Sequence, residues 1–596
     1  MMATHMVTED ELVQEFEDFD IELTDSDVVD KLKELCMVYR LDCSSIVSEW
    51  VAFSISKNNQ KMTTESLEEM EQDRISKKKL KVAKTPTISS SPALYSPTPT
   101  AEEPDDLLSA YTPAGKNKHK RLHTTPENPT NKRIVGMSRQ GNVPFSPGSF
   151  SPPTAATPSQ KYGSRSNRRE VVASFGPASD AVWKGTNAEA TSVQLYDPET
   201  ALKHSYKYMF QKFTDKANVL NNMIEDMAQH LQDLYGIESF SHLALPIQEP
   251  VTVVGRVCCD TSSGRLNAHS VLLEGSVETS AGKQVALGLG TIKEYSLFPG
   301  QIVALEGINS KGVKMAASKI YENQPLPLCD SEDATLSEHG PLHVLVAGGP
   351  FTTADTLSYE PLADLIRVIL QETPDVCILF GPFVDANHNE IKDYAADPEE
   401  LFKAQIMKIV SAIKDVETHL VVVPSLRDVH HDFIYPQPPF PIPEGLPNKH
   451  RLHFVSDPCT LTINGIVFGL TSSDILFHLG SEEISFPPGS SDRLGRLARH
   501  ILTQHSYYPL YPPPESMPID FEQYEQYAHM SVTPDVFVSP SDLRWFIKDV
   551  CGCLCINPGR LSRGQVGGTY AHLVVKPGHA QKGGVTSRSA AQILRI

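Results

Sequence analysis

The spacing of apolar positions changes character along this chain, and each change predicts a different kind of structure. Up to about residue 73 the period is helical. Thr8 and Glu11 form a capping box, and Leu12, Phe16 and Phe19 follow at helical spacing. A second helix begins near Asp25 and carries Val28, Leu32, Leu35 and Val38 on one face; a third carries Ile46, Trp50 and Phe53. Residues 1–73 therefore read as a small helical domain for docking other proteins. From 74 to 185 no period persists, and Pro, Ser, Thr, Lys and Arg dominate. Such a segment buries too little apolar surface to offset its ordering entropy, which predicts a disordered linker. Helical period returns over 199–235. Leu202, Tyr206, Phe210, Phe213, Leu220, Met223, Met227, Leu231 and Leu234 form the stripe, and Gly236 is the expected C-cap.

Past residue 245 the runs shorten and alternate. Val251–Val254, Ser270–Leu273, Gln284–Leu287, Gln301–Glu306 and Val313–Ile320 are separated by Gly-rich turns, and five strands in so short a span (245–325) predict an OB-type barrel. Its strands carry few aromatic residues; only Tyr295 and Phe298 fall between two of them, which argues against single-strand binding through the barrel. Over 340–596 short, almost wholly apolar runs end in turn residues: Leu342–Ala347, Asp375–Phe380, His419–Pro424, Arg451–Val455, Cys459–Leu470, Asp535–Val538, Cys551–Ile556 and Thr569–Val575. These predict a buried α/β sheet or sandwich. The fold class is thus a multidomain α+β chain.

Composition sharpens the division. The chain of 596 residues has a formal charge of −20, yet Arg74–Glu170 carries 17 Lys/Arg against 6 Asp/Glu, a local +11. The acidic remainder repels phosphate backbones. The basic tract holds nine Ser-Pro or Thr-Pro steps, at Thr85, Ser91, Ser96, Thr98, Thr112, Thr125, Ser146, Ser151 and Thr157. Proline holds each acceptor extended for a proline-directed kinase, and filling all nine would add roughly −14 to −18 charges, reversing the sign of the tract. Lys77, Lys78 and Lys79, and Lys118, Lys120 and Arg121, have the density of nuclear-import patches. The ten cysteines include no C-x-x-C; Cys551, Cys553 and Cys555 alternate and read as buried thiols on one strand face. No secretory leader and no membrane-spanning run of ~20 apolar residues is expected.

The α/β region resembles a two-metal phosphoesterase in layout, whose chemistry sits beyond the carboxyl ends of the strands. Two cations about 4 Å apart need about seven carboxylate and imidazole ligands there. In sequence these form D-x-H, G-D-x-x-D, G-N-H-D/E and a final G-H-x-H. This chain has no Gly-Asp dipeptide and no H-x-H among its 21 histidines. The first acid position falls at Ala347-Gly348-Gly349. The second reads Gly381-Pro382-Phe383-Val384-Asp385. The third reads Pro424-Ser425-Leu426-Arg427-Asp428, with a guanidinium where a ligand would sit, and the fifth falls near Ser541-Asp542. Catalytic and metal-ligating residues are therefore expected to be absent, and Asp385 and Asp428 to be kept for hydrogen bonds to loop amides. The rival reading is an active two-metal enzyme using Asp385, Asp428, His430 and His431, since Asp428-Val429-His430 is a true D-x-H.

Leu342–Phe351, Gly381–Asp385, Pro424–Asp428, Tyr435–Phe440, Thr471–Leu479, Leu502–Pro512 and Pro540–Arg544 resemble the B subunits of DNA polymerase alpha–primase. The resemblance covers about 240–596 closely and the first 185 residues in layout only. It implies an OB domain packed on an inactive calcineurin-like phosphoesterase domain. It implies that the pair clasps the zinc-bearing C-terminal domain of the polymerase catalytic subunit, with the primase subunits in the same complex. It further implies a non-catalytic role in initiating DNA replication in the nucleus, without a cofactor and with DNA contacted weakly or indirectly. The N-terminal domain would recruit other replication factors on a linker of ~110 residues, whose r.m.s. reach is roughly 55–65 Å.

Overall fold

The computed structural model describes residues 12, 16, 21, 26–39, 43–56, 62–71, 159–185, 191–261, 264–329, 340–392, 394, 396–447, 449–487, 492–578 and 584–596. The chain divides into two compact units, one of 1–67 with 155–596 and one of 68–154; of the second, only residues 68–71 are described. Thr8, Glu11 and Phe19, the nine Ser/Thr-Pro sites and the two basic patches lie outside the described residues.

Three N-terminal helices, Ser26–Tyr39, Cys43–Ser56 and Thr64–Met70, take up the helical period. Val28, Leu32 and Leu35 are buried on the first, Ile46, Trp50 and Phe53 on the second, and Leu67 and Met70 on the third. The third helix starts with a reciprocal cap: Thr63 N donates to Ser66 Oγ at 2.8 Å and Ser66 N to Thr63 Oγ1 at 3.2 Å.

Ile247–Cys259, Val271–Glu274, Gln284–Gly288, Lys314–Tyr321 and Ile302–Asn309 close into a five-stranded barrel around Val253, Leu273, Leu287, Leu305 and Met315. The remaining body holds two sheets. One has seven strands in the order Val171–Phe175, Ser589–Arg595, Thr569–Val575, Leu342–Gly348, Val376–Phe380, His419–Val423, Leu452–Phe454. The other has six, in the order Phe546–Val550, Cys553–Asn557, Val536–Val538, Ile466–Leu470, Cys459–Ile463, Val193–Leu195. They pack face to face through Val344, Val346, Ile378 and Val421 on one side and Phe468, Leu470, Val536 and Ile556 on the other. Helices Glu360–Glu372 and Pro398–Ala412 cover the outer face of the first sheet; Ile475–Glu482, Arg493–Thr503 and Phe521–Tyr527 cover that of the second. Burial on both faces explains the nearly continuous apolar runs of the central strands.

Four expectations are corrected. The expected linker does not reach 185, because 159–185 are ordered: Val171–Phe175 pairs antiparallel with Ser589–Arg595 at the sheet edge. Tyr162, 1 % exposed, anchors the segment by donating from its hydroxyl to Asp364 at 3.0 Å. The predicted helix 199–235 is helical only over Phe213–Tyr235, so Leu202, Tyr206 and Phe210 are not on it. Its C-cap Gly236 does adopt the left-handed conformation, at φ 64°. The run Cys459–Leu470 is a hairpin of two strands that turns at Asn464 and Gly465, both with positive φ. Cys551 sits exposed in a turn at φ 55°, while Cys553 and Cys555 are buried.

The helix Phe213–Tyr235 ties the barrel to the two-sheet body. Ile224, Met227 and Leu231 pack on barrel residues Val254, Ile302 and Ala304, and Val219 and Leu220 join the core beneath the six-stranded sheet. The Gln504 side-chain amide acts as a strand neighbour, accepting from Ile302 N at 2.8 Å and donating to Ile302 O at 3.0 Å. Ile484–Phe486 pairs antiparallel with Tyr295–Leu297 beside it. Buried Glu483 binds Arg496 Nε at 2.7 Å and His500 Nε2 at 3.1 Å. Burial works against its charge, but these partners outweigh burial and hold the carboxyl well below its ordinary range.

Among the described residues no helix is long and apolar enough to cross a membrane. The two ends of the helical stripe should separate in a stability assay. Leu231→Ala, at a fully buried position, is expected to cost about 2–5 kcal/mol by urea unfolding. Phe213→Ala, at a position 94 % exposed, is expected to stay within about 0.5 kcal/mol of the parent.

Candidate functional site

The strand ends that would carry metal ligands are filled by interlocked backbone and ion pairs. Gly349 N donates to Phe380 O at 2.8 Å and Gly381 N to Val423 O at 2.9 Å, so adjacent loops are bonded directly to the strand beside them. A Cβ on Gly349 would collide with the Pro382 carbonyl, and one on Gly381 with the Asp428 carboxylate. Side chains able to ligate a metal do not fit at these two positions. Ala347, next to last in the strand Leu342–Gly348, is fully buried.

Asp385 and Asp428 lie opposite each other in an isolated β-bridge, but their carboxylates serve different partners. Asp385 accepts from Arg427, through Nε at 3.1 Å and through a second contact from Nη2, and from Asn387 N at 3.0 Å. Asp428 accepts from Phe383 N at 2.6 Å, Val384 N at 3.0 Å and Ser425 N at 3.1 Å. Complete burial pushes its carboxyl up to about 7 although the three amides pull the other way. The expected hydrogen bonding to loop amides is therefore the geometry seen at Asp428.

A second cluster lies at the ends of the other sheet. Arg560, 8 % exposed, donates from Nε to Asp542 at 3.0 Å and from Nη2 to Asp474 at 3.2 Å. Asp474 also caps the helix Ile475–Glu482 by accepting from Phe477 N at 3.1 Å, and it takes Ser541 Oγ at 2.5 Å and Asp542 N at 2.7 Å. Burial raises the Asp474 carboxyl, with Arg560 opposing. Burial also works against a charge on Asp542, but Arg560, Arg427 and Arg563 hold it below its ordinary range; its half-exposed side chain leaves solvent to screen the pair. Nearby, Asp457 accepts from the hydroxyls of Thr471, Ser472 and Ser473 at 2.7–2.8 Å.

The rival enzyme site does not assemble. His430, the third member of its D-x-H, stacks on Phe402 at 4.4 Å and on Phe440 at 5.3 Å between centroids, and neither ring nitrogen has a hydrogen-bond partner. His431 Nε2 lies 2.7 Å from Pro438 O. Among the described residues no three His, Cys, Asp or Glu side chains converge as a metal site. Chemically, the arrangement neutralises carboxylates and fixes loops. The sequence brought forward Asp385, Arg427, Asp428, Ser541 and Asp542 as strand-end residues. It missed Asp457, Asp474 and Arg560, whose roles arise only when loops after different strands meet. The one local signal was the capping position of Asp474 before an apolar run.

Three sequence families match this architecture. Residues 10–77 match the family of the DNA polymerase alpha B subunit N-terminal region, 217–323 that of the OB domain of the DNA polymerase alpha B subunit, and 344–548 that of the DNA polymerase alpha/epsilon B subunit. These are similarities to the B subunits of two replicative polymerases. Among relatives, the DNA polymerase alpha B subunit of Rattus norvegicus is 45 % identical, with 99 % of this chain and 100 % of that protein covered. The Mus musculus protein of that name is 44 % identical over the same shares, and that of Schizosaccharomyces pombe 34 % over 63 % of this chain and 68 % of its own. The chain belongs to the family of DNA polymerase alpha B subunits.

Two measurements test this description of the site. Asp428→Ala strands three buried amide donors and is expected to cost about 3–5 kcal/mol by urea unfolding; a cost under about 1 kcal/mol contradicts the amide role. His430 is held down at about 4, by burial first and His431 second. Its folded value lies below the ordinary 6.5, so its contribution to stability is present above that value and is lost as pH falls through 6.5 toward 4. His430→Phe is therefore expected to reduce the loss of stability between pH 7 and pH 5 by up to about 2 kcal/mol.

Proposed function

We propose that this chain is a non-catalytic accessory subunit of a DNA polymerase alpha–primase assembly. In this reading the barrel and the two-sheet body, an inactive calcineurin-like phosphoesterase domain, together hold the C-terminal domain of the polymerase catalytic subunit. The observation that carries it is the strand-end cluster: glycines without room for a ligand side chain, and Arg427 and Arg560 bound to carboxylates where cations would sit. A guanidinium repels a cation and supplies no lone pair. The seam latched by Gln504, Glu483 and the helix Phe213–Tyr235 supports a rigid two-part platform. The names of the relatives support the association with the polymerase.

The remaining roles follow from the sequence. The N-terminal helices dock further replication factors. The basic patches Lys77–Lys79 and Lys118–Arg121 direct the chain to the nucleus. Phosphorylation at the Ser/Thr-Pro steps reverses the charge of the tract and alters docking or import.

Co-expression with a polymerase catalytic subunit and both primase subunits tests the reading. A stable complex in equal proportions is expected, with no manganese-dependent cleavage of bis(p-nitrophenyl) phosphate by the isolated chain. A chain that stays apart from the polymerase and turns over that substrate overturns it.

A further inference from the structure

The segment Lys203–Phe213 runs from beyond the strand Val193–Leu195 to the first residue of the long helix, and its side chains serve neither the strand-end site nor the seam. It holds three lysines, one histidine, four aromatic residues and no Asp or Glu, on a chain of net charge −20. Met209, Phe210 and Phe213 are 86 %, 80 % and 94 % exposed, and Lys203, His204, Lys207 and Lys212 are exposed beside them. Large side chains this bare, in one short stretch of backbone, are unlike the scattered apolar residues of an ordinary surface.

The segment is held in place. Leu202 is buried at its start. Tyr206 donates to Pro436 O at 2.5 Å, and Tyr208 to Asp432 at 3.2 Å. Gln211 accepts from Phe521 N, and Asp215 accepts from Lys212 N at 3.1 Å. Just beyond, Lys216 lies over the Tyr511 and Phe521 rings at 5.1 and 4.8 Å. These contacts orient the backbone of the strip while leaving the Phe210 and Phe213 rings in solvent, and the acids Asp432 and Asp215 are engaged in the anchoring.

We infer that Lys203–Phe213 is a single-stranded DNA contact, in which Phe210 and Phe213 stack on bases and Lys203, Lys207 and Lys212 neutralise phosphates. Interleaved aromatic and cationic side chains on a fixed backbone are the chemistry of sequence-tolerant single-strand binding, since every base offers a π face and every linkage a charge. Charge complementarity selects this occupant over an apolar protein surface, which would leave three ammonium groups facing it. The site is outside the barrel, whose strands carry a single aromatic residue, Tyr321, and it goes beyond the scaffold reading: its failure would leave that reading standing.

The test uses the full chain and a 20-nucleotide oligo-dT carrying 5-iodouracil, crosslinked by light and mapped by mass spectrometry. Mapping separates the strip from salt-dependent binding by the basic tract 74–170. Crosslinks on Phe210 or Phe213 are expected. Phe210→Ala/Phe213→Ala is expected to weaken oligonucleotide binding by about 10- to 100-fold without changing the melting temperature. Lys203→Ala/Lys207→Ala/Lys212→Ala is expected to lower the slope of log affinity against log salt by about 2. Crosslinks confined to 74–170 overturn the inference. So does a Phe double variant that keeps its DNA affinity but loses the polymerase catalytic subunit, which would make the strip a protein interface.

Discussion

The structure depends on how buried carboxylates at the sheet ends are neutralised. Asp385, Asp428, Asp457 and Asp474 sit where loops from several strands meet, too enclosed to be left charged without partners. Arg427 and Arg560 supply planar, fixed cations, and backbone amides and hydroxyls supply the rest. A metal ion could answer the same electrostatic need, but it would leave open coordination positions for water and substrate. A guanidinium leaves none. The sheet ends are thereby occupied by ion pairs.

These ion pairs have mechanical consequences. Asp474 connects Arg560 and Ser541 to the helix Ile475–Glu482, whose end leads through Glu483 to Arg496, His500 and the strand Ile484–Phe486. That strand pairs with Tyr295–Leu297 beside the barrel, and Gln504 completes a barrel strand at Ile302. Polar contacts at the two ends of the helix Ile475–Glu482 thus sit at the strand ends and at the barrel seam. Such contacts fix geometry more than they add stability, because ion pairs of this kind gain little over their desolvation cost. A platform that presents two domains in one fixed relation gains from that rigidity.

Much of this was legible in the sequence. The central strands announce themselves because parallel strands buried on both faces are apolar without interruption, as in Leu342–Gly348 and His419–Val423. The barrel strands alternate, and the missing Gly-Asp and H-x-H patterns tell against a metal site. Edge strands escaped: Val171–Phe175 follows a polar tract, and Val193–Leu195 has three residues, so their pairing is decided by tertiary partners. The stripe before Phe213 misled because aromatic residues at helical spacing say nothing of backbone; Met209 has φ 67° and Lys212 is extended, and either stops a helix. Asp474 and Arg560 were hidden because residues 86 positions apart meet only after folding, and Asp457 because its hydroxyl partners lie across a strand hairpin.

The most direct test of the central claim is calorimetric titration of the full chain with manganese at neutral pH. The account predicts no stoichiometric binding at the strand ends, and no difference between the parent and Asp385→Asn. Two equivalents bound at micromolar affinity, and lost in Asp385→Asn, would contradict it.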